Sequence, residues 1–77
     1  LYLYTMIEIK VQYEINKCSS LDDILDVLED NIWRWNEGDV FTFSFKGEDY
    51  EFWVADSGKS DEPQNGNYLE IRDLQKK

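Results

Sequence analysis

The chain has no histidine, one cysteine, one proline and four glycines in 77 residues. The missing histidine removes the commonest proton shuttle near neutral pH and a principal zinc ligand. With Cys18 alone no intrachain disulfide forms, whereas small secreted domains are usually rich in them, so a reducing, cytoplasmic setting is expected. No stretch approaches the roughly 18 apolar residues that cross a bilayer, and no signal-peptide pattern opens the chain. Neither an internal repeat nor a composition shift marks a second domain, so residues 1–77 are read as one soluble unit. Residues 1–5, which precede Met6, read either as a remnant of cloning or as an extension of the first strand.

Positive charge is scarce as well. Eight Lys and Arg stand against 17 Asp and Glu, a formal net of −9. From Ser19 to Glu62 there are 13 acids and 3 bases, so the whole imbalance lies in the middle of the chain. Such a field repels nucleic acid and anionic membranes and steers the molecule toward basic surfaces. Solubility alone is the plainer explanation, since small domains commonly carry charge without further use.

Aromatics are abundant by contrast: Trp 3, Tyr 5 and Phe 4. A domain this short buries only about 60% of its unfolded surface. Rings that each bury about 150–250 Å² let it build a core from few side chains.

"MIEIKVQYEI" alternates, with Ile7, Ile9, Val11, Tyr13 and Ile15 on one face, and predicts a half-buried strand. "NKCSS" then turns, and Ser19 or Ser20 caps a helix whose first turn carries Asp22 and Asp23. In that helix Leu21, Leu25, Leu28, Ile32 and Trp35 form an apolar stripe with Ile24 beside it, and Gly38 is the expected stop. Asp22, Asp23, Asp26, Glu29, Asp30 and Trp33 fall on the far side.

"DVFTFSFKGEDYEFWV" predicts a hairpin turning through Lys46 to Asp49. Phe41, Phe43, Phe45, Tyr50, Phe52 and Val54 then face the helix, and Glu51, Trp53 and Ala55 the opposite side. Residues 56–66 read as a mobile loop and "NYLEIRDL" as a last strand. There Leu69 and Ile71 point inward, Tyr68, Glu70 and Arg72 outward, and residues 75–77 fray. The expected fold is α+β in the order β-α-β-β-β, with one helix on a four-stranded, largely antiparallel sheet. If the first two strands are neighbours, that pair is parallel and the last three form a meander.

Catalytic and metal motifs fail on their spacing. "GKS" at Gly58 to Ser60 lacks the phosphate-loop glycine five positions earlier, where Trp53 stands. "DSGKSDEPQNG" offers Asp56, Gly58 and Ser60 as the odd ligands of a calcium loop, with Asp61 where glycine is needed. A carboxylate pair from Glu51 and Glu70 would need a cleft that so small a domain has little room for. Cys18 has no base partner, so it is read as incidental. Neither enzyme activity, cofactor nor metal is expected.

The acidic helix with its tryptophan remains. A row of carboxylates resembles the dense negative charge that phosphates offer to a nucleic-acid channel, and tryptophan dominates binding hot spots. The expectation is a small acidic inhibitor docked on the basic surface of a nucleic-acid-binding enzyme or effector, contacting neither nucleic acid nor membrane. Asp22, Asp23, Asp26, Glu29, Asp30, Trp33, Glu51, Trp53 and Tyr68 are the expected partner-binding residues. In size, acidity and compactness the chain is similar in kind to phage and mobile-element proteins that block CRISPR or restriction effectors, and to nuclease immunity proteins. The alternative is a structural or regulatory interaction module whose aromatic sheet face joins another chain, a second copy included.

Overall fold

Lys46 and Gly47 both have positive φ, +52° and +80°, the signature of a two-residue type I′ turn. The turn joins β2, Val40–Phe45, to β3, Glu48–Asp56, in an antiparallel pair with Phe41 opposite Phe52 and Phe43 opposite Tyr50. The molecule is described by a computed structural model over residues 5–57 and 69–77. Its other elements are β1, Thr5–Met6; α1, Ile9–Asn16; α2, Leu21–Asn31; a 3-10 turn, Ile32–Arg34; and β4, Leu69–Lys76. The sheet order is β1-β2-β3-β4, with β1 parallel to β2 and the remaining pairs antiparallel. The α+β class, the four strands, the parallel first pair and the closing meander all agree with the sequence reading.

One segment differs. Residues 9–16 of the expected first strand form a helix, so the sheet is covered by two helices and its first strand is two residues long. Ile7, Val11 and Ile15 are buried as expected, but Ile9 is 89% exposed and Tyr13 62%. Residues spaced by four share a face in a strand of period two and nearly so in a helix of period 3.6, so this triplet fits both templates. The helix supplies something the strand would not. The amide of Gln12 donates through Nε2 to Ser44 O at 2.9 Å and accepts through Oε1 from Ser44 N at 3.0 Å. That completes the edge of β2 beyond the reach of β1, whose last ladder bond is Ile7 N to Thr42 O at 2.9 Å.

Ser20 caps α2, its hydroxyl accepting from Asp23 N, while Asp23 Oδ2 accepts from Ser19 N. The helix ends at Asn31, before the stripe expected to run on to Trp35. The 3-10 turn then swings Trp35 inward, with its backbone N–H donating to Ile32 O. Gly38, φ +92°, lies beyond that turn and donates to Val54 O at 2.7 Å.

The helices cover one face of the sheet, α1 over β2 and α2 over β4. Between the layers Val11, Ile15, Ile24 and Leu28 meet Phe41, Phe43, Phe45, Phe52 and Val54. Trp35 tilts against Phe41 and Phe52 at 4.9 and 5.5 Å, and Phe43 stacks on Tyr50 at 5.5 Å. Each such side chain contributes about 1.5–3 kcal/mol by leaving water, and each ring pair about 0.5–1.5 more.

β4 carries a bulge. Arg72 pairs with Trp53 and Gln75 with Glu51, so Asp73 and Leu74 together stand opposite Phe52. Asp73 adopts φ +57°, a conformation in which aspartate is enriched. Unbroken alternation after Leu69 and Ile71 would bury Asp73 and expose Leu74. The extra residue keeps Leu74 on the core and sends Asp73 outward. Gln75 and Lys76, expected to fray, pair with Glu51 and Tyr50, and Lys77 N donates to Asp49 O at 2.9 Å. The expected loop, from residue 58 on, and the outward Tyr68 lie outside the described residues, as do residues 1–4.

Candidate functional surface

α2 spaces Asp22, Asp26 and Asp30 four residues apart, about 6 Å per step, with Glu29 beside them. All four are exposed, and none makes an ion pair among the described residues. Asp23 belongs to the same exposed face but works locally, holding the Ser19 amide at the helix start. The helix offers no basic residue in its last turn to balance them.

Trp33 follows Asp30 by three residues and is 69% exposed, the large side chain least expected in water. Arg34 lies over it, guanidinium carbon to ring centroid 4.9 Å, and the Arg34 Nε is buried without a hydrogen-bond partner among the described residues. Arginine on tryptophan leaves a flat aromatic plate standing at the end of the acidic row. Arg34 was not singled out in the sequence, where a lone base between two tryptophans carries no pattern of its own.

Glu51 and Trp53 lie elsewhere. They point to the sheet face opposite the helices, where Val40, Thr42 and Ser44 alternate with the buried phenylalanines. The expected binding residues therefore form two surfaces, the α2 face and the open sheet face, with Tyr68 outside the described residues. On the open face Gly38, Val40, Glu51, Phe52, Trp53, Asp73 and Gln75 line a notch of about 440 Å³. The Trp53 indole donates through Nε1 to Asp73 Oδ2 at 2.6 Å, and Gln75 Nε2 donates to Glu51 Oε2 at 3.3 Å. Asp73 and Gln75 escaped the sequence reading because their direction depends on the bulge.

Burial, and then the charges of Asp23, Glu14 and Asp26, push the Cys18 thiol above its ordinary range. It stays protonated near neutrality and donates weakly to Glu14 O. No group of three or more potential metal ligands occurs among the described residues, and no described helix is long and apolar enough to cross a membrane. Comparison with protein-family models, curated proteins and solved structures finds no match.

Proposed function

We propose that this protein is a small acidic inhibitor that occupies the basic surface of a nucleic-acid-binding enzyme or effector, presenting α2 in place of a phosphate row. The observation that carries the reading is the line Asp22, Asp26, Asp30, without ion pairs among the described residues and ending in the exposed Trp33 plate. The carboxylates steer approach, and the tryptophan holds the complex once formed. An anti-defence or nuclease-immunity role in the cytoplasm fits that chemistry. The half-buried Trp53 on the sheet face away from the helices favours the second reading, an interaction module in which acidity serves solubility alone.

Elution separates the two. Partners are captured from a host lysate on the wild-type protein and on Asp26→Lys/Asp30→Lys, then challenged with duplex DNA. Mimicry predicts proteins that the nucleic acid displaces and that the double variant fails to retain. Retention by both proteins, indifferent to nucleic acid and to salt between roughly 50 and 500 mM, rejects it in favour of the module.

A further inference from the structure

The α2 face leaves the notch on the opposite side of the sheet without a role. Its walls bring together an indole, the carboxylates of Glu51 and Asp73, the Gln75 amide and the apolar side of Val40, and no cation is among the described residues that line it. The indole is held in place by its bond to Asp73, which the bulge has turned to this face. The Arg72 guanidinium carbon lies 5.9 Å from the Trp53 centroid, and Arg72 pairs with Glu70. Its position shows that this ring tolerates a guanidinium beside it, and neither Glu51 nor Asp73 makes an ion pair among the described residues.

We infer that the notch receives an arginine side chain of the partner, its guanidinium set against Trp53 and charge-paired with Glu51 and Asp73. An aromatic plane attracts a cation through its quadrupole, and carboxylates bind guanidinium through charge-assisted hydrogen bonds. Arginine suits this better than lysine, because its planar, weakly hydrated head stacks and forks where an ammonium is a hydrated point charge. The volume holds one such side chain with water around it. The inference rests on the reading of a protein that docks on basic surfaces, and it gives that partner a shape. The notch and α2 face opposite ways across the sheet, so a partner touching both is a cleft and not a plane.

The test needs no partner. The indole N–H resonances of the labelled full chain are assigned with Trp53→Phe and followed while N-acetyl-arginine-N′-methylamide is added, with the citrulline analogue as neutral isostere. The Trp53 signal moves and saturates with the arginine compound only, and Glu51→Gln/Asp73→Asn weakens that binding about tenfold or more. An asparagine in place of Asp73 keeps both the tolerated positive φ and an oxygen for the indole, so the double variant removes charge and retains the notch. Equal shifts with the citrulline analogue, movement at Trp33 instead of Trp53, or indifference to the double variant overturns the inference. Any of these leaves the α2 reading standing, and a loss of lysate partners leaves the notch standing.

Discussion

The indole N–H of Trp35 donates to Glu8 Oε1 at 2.9 Å, across 27 residues of chain. The bond ties the turn that ends the helical layer to the residue that opens α1. Two tryptophans two residues apart thus have opposite surroundings, Trp35 at 5% exposure and Trp33 at 69%.

Stability should divide them. Trp35→Ala is expected to cost about 3–5 kcal/mol, enough to unfold a domain with so thin a margin. Trp33→Ala should stay within about 0.5 kcal/mol, and Glu8→Ala should lose about 1–3 kcal/mol by orphaning the indole N–H. Urea titration followed by circular dichroism measures all three, and a collapse of Trp33→Ala would assign that residue to the core.

Gln12 should matter more than an ordinary surface amide. Gln12→Ala removes both bonds to Ser44 and is expected to cost about 1–2 kcal/mol, with the Ser44 amide exchanging faster than its neighbours. Gln12→Glu should cost as much, because a carboxylate faces Ser44 O where a donor stood. Unchanged exchange at Ser44 in both variants would argue against α1.

The bulge predicts a graded series at one site. Asp73→Asn keeps both φ +57° and an acceptor for the Trp53 indole and should be nearly neutral. Asp73→Gly keeps the φ but loses the acceptor and should cost about 0.5–1.5 kcal/mol, and Asp73→Val should lose about 1–3 kcal/mol more to backbone strain. A strand without the bulge would rank valine first, as a β-branched residue, and thermal unfolding distinguishes the two orders.

Cys18 gives a pH dependence. Its folded-state pKa is raised, by burial first, so the protonated thiol favours the folded state below the ordinary thiol range. That contribution is lost as pH rises through the folded value, because the unfolded chain ionises earlier. Urea titrations should show stability declining above about pH 8.5, more in wild type than in Cys18→Ala, and alkylation at about pH 8 slower than for a free thiol. Parallel pH profiles for the two proteins would remove the thiol from the account.

The sequence and the structure agree where one pattern had one meaning. Phe41, Phe43 and Phe45 admit a single strand face, and Ser20 with Asp22 and Asp23 marks a single helix start. They part where the pattern is degenerate or where a backbone irregularity intervenes. Ile7, Val11 and Ile15 satisfy a strand and a helix alike, and only Gln12 closing on Ser44, a contact 32 residues away, separates them. Nothing local announces the bulge at Asp73, although Leu74 after the alternation of Leu69 and Ile71 is an apolar residue out of phase. The α2 acids were readable as one exposed face, and the alternation of β3 put Glu51 and Trp53 on the side of the sheet away from the helix, where the structure has them.

Stopped-flow association with the captured partner, as a function of ionic strength, tests the α2 reading most directly. The wild-type rate constant should fall steeply with salt, and Asp26→Lys/Asp30→Lys should associate slowly at every ionic strength, with Trp33→Ala altering mainly dissociation. A wild-type rate that is flat across roughly 50–500 mM salt and unchanged by the charge reversal would contradict the proposal that this acidic row stands in for phosphates.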